Sequence, residues 1–131
     1  MILRVKIPTS PSANSAYRNV RAVGRVLTVK ARKWQQVAVA IVRVTACIAG
    51  FDPKTLEGKI EVVLHVGFAS LETGRGAKHR FKTIDLDNRI KLTIDAVMSG
   101  LGLDDRIVWR IVAEKRVDPE EMTEVTVRTL D

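Results

Sequence analysis

Ile84-Asp85-Leu86-Asp87-Asn88-Arg89-Ile90-Lys91-Leu92-Thr93-Ile94-Asp95, with Leu103-Asp104-Asp105 shortly after it, is the stretch on which the fold turns. Ile90, Ile94, Val97, Met98 and Leu101 recur at helical spacing, so a helix is expected over residues 86–99. Asp85 is placed to cap it, and Gly100 and Gly102 to stop it. Downstream, residues 106–117 and 122–130 alternate like strands, and Asp118-Pro119-Glu120-Glu121 between them reads as a hairpin turn. Upstream, residues 60–68 alternate β-branched residues as a central strand does. A first helix is expected over residues 30–49, where Trp34, Val37, Ala38, Ile41, Val42 and Thr45 share one face. Its many valines lower its propensity, so packing must support it. Residues 2–7 form a first strand and residues 25–29 a short one. The segment 8–15, with two prolines, and the glycine-bearing basic segment 71–82 read as loops, the second of them mobile.

The order β-(β)-α-β-α-β-β predicts an α+β fold, with a mixed β-sheet packed against two main helices. At 131 residues the chain amounts to one domain, residues 1–131, with one core. Its 46% apolar and 28% charged shares are those of a globular protein. No apolar run approaches the roughly 20 residues that span a bilayer, so no membrane partner is expected. The single cysteine, Cys47, cannot form an internal disulfide; it reads as a core thiol and fits a cytoplasmic location. Trp34 and Trp109 read as core or dimer-interface residues, and His65, inside an apolar strand, as core.

The net charge of +7 is unevenly placed. Residues 1–51 hold nine Lys and Arg and no acid, whereas residues 52–131 hold 13 Lys and Arg against 15 Asp and Glu. A basic face beside a local acidic cluster fits a polyanion held against a metal site; a basic face kept for solubility fits the charge equally well.

Phosphodiester hydrolysis needs charge neutralised on the phosphate and a water activated. A hard divalent cation on carboxylate oxygens does both. Asp85, Asp87, Asp104 and Asp105 are the candidate ligands, because clustered carboxylates repel unless a cation lies between them. Lys91, one turn beyond Asp87, is placed to steady developing charge or orient the water, and Asp87, Lys91 and Asp95 recur every four residues. Taken singly, each acid has an ordinary reading as a cap, a solvated turn or a salt-bridge ladder. Distance also counts against the set. A helix of about 14 residues is roughly 20 Å long, so the late acids reach the early ones only if 101–103 folds back or if two subunits combine.

The sequence resembles the RusA-type Holliday junction resolvases. The likeness lies in Pro11-Ser12-Ala13-Asn14-Ser15-Ala16-Tyr17-Arg18 after the first strand, in Asp85-Leu86-Asp87-Asn88 with Lys91 and Asp95, and in Gly102-Leu103-Asp104-Asp105 with the strand that follows. It implies a homodimer that binds four-way DNA junctions and nicks two opposed strands with Mg²⁺ or Mn²⁺. It also implies that Asp85, Asp87 and Asp105 are metal-binding catalytic acids, with Lys91 in support and Asp104 as the alternative member of its pair.

DNA contacts are expected from Asn14, Tyr17 and Arg18, from Lys30, Arg32 and Lys33, and from Lys78, Arg80 and Lys82 in the loop leading to Asp85. Tyr17 is suited to stack on an unpaired base. Two other readings stand beside this one: a related nuclease acting on another branched DNA, and a non-catalytic basic DNA-binding protein.

Overall fold

Leu3, Val5 and Ile7 alternate with Arg4 and Lys6, so a strand here buries one face and leaves the other wet. The computed structural model describes residues 2–56 and 58–130, with side chains for all of them except Ala13 and Asn14. That first strand is β1 (Ile2–Pro8), followed by a single turn α1 (Ala13–Ala16) and the hairpin β2 (Tyr17–Val20) and β3 (Gly24–Leu27). Then come α2 (Val29–Ile48), β4 (Ile60–Phe68), α3 (Asp87–Leu101), β5 (Val108–Val117) and β6 (Met122–Thr129). The expected α+β architecture is present, within a residue or two at each end of both main helices.

Four strands form one mixed sheet in the order β1-β6-β4-β5. β6 runs antiparallel to both β1 and β4, and β5 runs parallel to β4. The expected hairpin between β5 and β6 is therefore corrected: β4 lies between them, and the Asp118–Glu121 turn carries the chain across its end. Asp118 N–H donates to the Phe68 carbonyl (2.8 Å), and its own carboxylate accepts from the backbone of Glu120 (3.0 Å) and Met122 (3.3 Å). The crossing is tight enough that a Cβ at Gly67 would stand 2.8 Å from that of Asp118. β4 takes the interior and is buried on both faces, with Val62, Leu64 and Val66 on one and Glu61 and Gly67 on the other, whereas the edge strand β1 buries only one.

Both helices cover one sheet face, where Leu3, Val5, Ile7, Val62, Leu64, Val125 and Val127 meet Val42, Ile94 and Val97. α2 and α3 approach closely at Gly100: a Cβ there would lie 2.7 Å from the Val42 Cβ and 3.1 Å from the Val39 carbonyl oxygen. Alanine gains about 1 kcal/mol of helix propensity over glycine. Overpacking against a β-branched side chain and a backbone oxygen costs about 1–3 kcal/mol. Gly100→Ala is therefore expected to lower the thermal midpoint. Val42→Ala should not rescue it, because alanine keeps the Cβ that the new methyl meets at 2.7 Å and leaves the Val39 carbonyl oxygen at 3.1 Å. The double variant should melt below Val42→Ala alone, as thermal unfolding of the three variants would read.

The other sheet face is polar. The buried Glu61 carboxylate accepts from Arg110 (3.0 Å) and Arg128 (2.5 Å). The hydrogen bond from Arg110 holds its carboxyl below the usual glutamate range, with Arg128 acting in the same direction against the cost of burial. His65 lies half-buried on this face, within 3.5 Å of Glu114 and 3.3 Å of Arg116, so it belongs to an ionic cluster and not to the core.

Two further expectations are corrected, and a third is narrowed. Cys47 is exposed on α2. Trp109 on the edge strand β5 is 65% exposed, with the Lys59 ammonium 4.1 Å from its ring centre, so of its two readings it is not a core residue. Val37 points outward, because the valine-rich helix offers more apolar positions than its buried stripe of Ala31, Ala38, Val42 and Ala46 can use. Trp34 is half-buried as expected, and its indole N–H donates to the Pro8 carbonyl (2.8 Å). Among the described residues, no helix is long and apolar enough to cross a membrane.

Candidate active site

α3 begins without a side-chain cap, since Leu86 occupies that position in a helical conformation. The expectation that Asp85 caps the helix is therefore corrected. Its exposed carboxylate instead accepts from the Asn88 amide (3.2 Å). Asp87 occupies the first turn, where the helix dipole favours a negative charge. Spacing of four residues then puts Asp87, Lys91 and Asp95 on one stripe, while Leu92, Ala96 and Val97 go inward.

At the far end of α3 the chain reverses. Gly102 is left-handed (φ 69°), Leu103 N–H donates to the Met98 carbonyl (3.0 Å), and Gly102 N–H donates to the Ser99 carbonyl (3.1 Å). These two bonds are a Schellman stop, which turns the chain back on itself. Asp104 then caps a 3-10 turn spanning Asp105–Ile107, accepting from Arg106 N–H (2.9 Å) and pairing with the Arg106 guanidinium (3.3 Å). That backbone hydrogen bond, helped by the Arg106 charge, holds the Asp104 carboxyl below its ordinary range.

Asp105 lies alongside α3. It lines an open groove of about 320 Å³ with Asp87, Lys91 and Asp95, floored by Ile90, Ile94 and Ile111. Partial burial pushes the Asp95 carboxyl up; the Lys91 ammonium opposes this and the Asp105 carboxylate adds to it. Of the residues singled out from sequence, the fold thus gathers Asp87, Lys91 and Asp105. Asp85 and Asp104 are not part of that groove's wall. Asp95 joins it without having been chosen as a site residue, although its spacing from Asp87 and Lys91 carried the signal. Among the described residues, no three of His, Cys, Asp or Glu stand close enough to make a ready-formed metal cage.

On its other side Asp87 borders a second cleft of about 370 Å³, which also includes Lys91, Asn88, Leu92, Tyr17 and Arg25. The β2–β3 hairpin supplies its outer wall, with the Arg25 guanidinium 4.3 Å from the Tyr17 ring centre. Tyr17 also packs with Ala16, Ala31 and Leu92 in a small apolar cluster at the root of α2.

The basic residues surround these two clefts in sequence. Lys30, Arg32 and Lys33 are exposed in the first turns of α2, which contain no acid. Cations at a helix N-terminus oppose its dipole, so these three work against helix stability. Arg18 is exposed on β2, and the side chain of Asn14 lies outside the described residues. The segment 71–82 folds back on itself: a bridge joins Glu72 to Phe81, and Thr73 N–H and Lys82 N–H donate to the carbonyls of Arg80 and Leu71 (2.8 and 2.9 Å). Arg80 pairs with Glu72 (3.1 Å), while Lys78 and Lys82 are exposed without an acidic partner among the described residues.

Among solved structures, the chain is similar to cyanuric acid hydrolase from A. caulinodans, at 16% identity and a TM-score of 0.36, covering 96% of this chain and 37% of that one. It is also similar to 2C-methyl-D-erythritol 2,4-cyclodiphosphate synthase from Plasmodium vivax, at 9% identity and a TM-score of 0.35, covering 96% and 93%. The chain thus spans little more than a third of the hydrolase's length, and likenesses this weak carry no argument about chemistry. No curated protein matches the sequence. The family of endodeoxyribonuclease RusA matches residues 7–128, nearly the whole chain and all of both clefts. The chain belongs to the endodeoxyribonuclease RusA family.

Proposed function

We propose that this protein is a structure-specific endodeoxyribonuclease that resolves four-way DNA junctions by paired, Mg²⁺-dependent nicks, acting as a homodimer. The observation that carries the reading is the return of Asp105 alongside α3, into the groove that holds Asp87, Lys91 and Asp95.

The donor set fits a hard cation. It consists of carboxylate oxygens without sulfur or imidazole, and Mg²⁺ is commonly held by one or two protein carboxylates, with waters and substrate phosphates completing its shell. Asp87 and Asp105 would hold Mg²⁺ or Mn²⁺, with Asp85 close by in sequence. Asp104 is the weaker candidate because its carboxylate is engaged by Arg106. The chemistry such an ion supplies when bound is charge neutralisation on the phosphate and a more acidic attacking water.

In the reaction, a water oxygen bonds to phosphorus, one P–O bond breaks, and the leaving oxygen takes up a proton. Lys91 brings a positive charge to where negative charge develops on the phosphate. Asp95, one turn further along the same stripe, feels the Lys91 charge and lines the groove with it. Lys30, Arg32 and Lys33, with Arg18, Lys78, Arg80 and Lys82, would grip backbone phosphates on both sides of the cut, with Asn14 and Tyr17 alongside. Such binding weakens steeply with salt. Two opposed strands need two active sites, which a homodimer supplies.

The test is a nicking assay on a synthetic four-way junction, with a linear duplex of the same sequence and a parallel reaction in EDTA. The expected result is paired, symmetric nicks in the junction with Mg²⁺, none in EDTA, and little cutting of the duplex. Duplex cut as fast as the junction would replace this reading with a nuclease of broader choice. Junction binding without nicking in Mg²⁺ or Mn²⁺ would replace it with a non-catalytic DNA-binding role.

A further inference from the structure

The cleft on the hairpin side of Asp87 is built differently from the acidic groove. The acidic groove presents carboxylates and an ammonium above an isoleucine floor. This cleft presents a tyrosine ring, a guanidinium lying over that ring, the apolar Leu92 and the amide of Asn88. Backbone phosphates are gripped by exposed cations reaching into solvent, and this protein has many of those. A flat guanidinium–aromatic stack over an apolar floor suits the π-face of a heterocycle. The Asn88 amide gives one hydrogen to Asp85 (3.2 Å), which leaves a second N–H and the carbonyl oxygen to meet a base edge. Asp87 and Lys91 form the wall shared with the acidic groove, so an occupant of this cleft sits beside whatever phosphate lies in the other.

We infer that the Tyr17–Arg25 cleft binds a single unstacked nucleobase next to the scissile phosphate, and that this ties cutting to branched DNA. The inference rests on the nuclease reading above. In a linear duplex every base is paired and stacked, and extracting one is unfavourable; a branch point offers bases already loosened. A phosphate reaches the acids when its neighbouring base has entered the cleft, so a junction is cut and a duplex is spared.

The test places 2-aminopurine in turn at the nucleotides flanking the cut in a four-way junction, and reads its fluorescence on binding in EDTA. The wild type should change the signal at one flanking position. Tyr17→Phe, which keeps the ring, should preserve the change. Tyr17→Leu, which keeps apolar packing against Ala16, Ala31 and Leu92, should lose it. Arg25→Ala, at an exposed hairpin position where folding is not at stake, should weaken it. In Mg²⁺, the junction-over-duplex cutting ratio of Tyr17→Leu should fall on the order of tenfold, the scale of one lost base–aromatic stack. No fluorescence change with the wild type, or an equal change with Tyr17→Leu, overturns the inference, as does an unaltered cutting ratio. The fluorescence does not depend on cutting. A protein that gives the Tyr17-dependent signal but never nicks would overturn the nuclease reading, and with it the tie to cutting, while leaving the base bound in the cleft. One that nicks without the signal would overturn only the base-binding cleft.

Discussion

Asp87→Asn removes junction nicking while leaving the junction bound. Asp87 is the acid common to both clefts, one turn from Lys91 and opposite Asp105. The amide keeps the size and shape of the carboxylate but carries no charge, so it is a poor partner for a hard cation and cannot balance Lys91. Loss of one preorganised charge at a reacting phosphate costs about 10²–10³ in rate, and a weakened cation site adds to that. The helix tolerates the change, because the first-turn interaction with the dipole is worth only about 0.3–1 kcal/mol. Affinity for DNA should hold or rise, because a negative charge leaves a surface that binds a polyanion. Single-turnover nicking and gel-shift affinity, measured on one preparation, separate the two effects. Nicking within twofold of the wild type would remove Asp87 from the reaction.

The two helices and the alternating strands were legible because their signals are local: the 3.6 and 2.0 periods, the glycine at 102, and the prolines at 8 and 11. Gly100, read as a second stop, lies instead inside α3, where its lack of a side chain lets α2 approach. What escaped was set by contacts between distant residues. Strands β5 and β6 are joined by a turn of hairpin length, yet both pair with β4, a choice made by the burial of Val62, Leu64 and Val66 that no turn residue encodes. Exposure of Val37 and Cys47 follows from which stripe of α2 meets Gly100 and β1, and a valine-rich helix does not announce that stripe. In the site, Asp85 and Asp87 stood out by motif, but the place of Asp105 did not. A straight helix separates it from Asp87, and only the left-handed Gly102 with the bonds to Met98 and Ser99 brings it back. Gly102 was readable as a stop, whereas the direction taken after the stop depended on packing of Leu103 and Ile107 against the core. The Tyr17–Arg25 cleft was hidden for a similar reason, since its walls come from a hairpin near residue 20 and a helix near residue 90.

Asp105→Asn and Asp104→Asn should behave differently, although the two residues are neighbours and chemically alike. Asp105 lines the groove with Asp87 and Lys91 and is close enough to raise the Asp95 carboxyl. Removing its charge should slow nicking by about 10²-fold or more, by the reasoning applied to Asp87. It should also let the Asp95 carboxyl fall back toward its ordinary range, because one of the two influences raising it is gone. Asp104 does not line that groove and spends its carboxylate on the Arg106 backbone and guanidinium. Asparagine caps a turn about as well as aspartate does, so Asp104→Asn should keep the 3-10 turn, the fold-back and nicking to within a few-fold. Both rates would be taken on the same junction, with circular dichroism to show that each variant is folded. Equal losses in the two variants, or loss in Asp104→Asn alone, would mean that the groove beside α3 is not where the phosphate is cut. An intact Asp104→Asn beside a crippled Asp105→Asn would fix the reacting phosphate on the side of the turn that faces Asp87, Lys91 and Asp95.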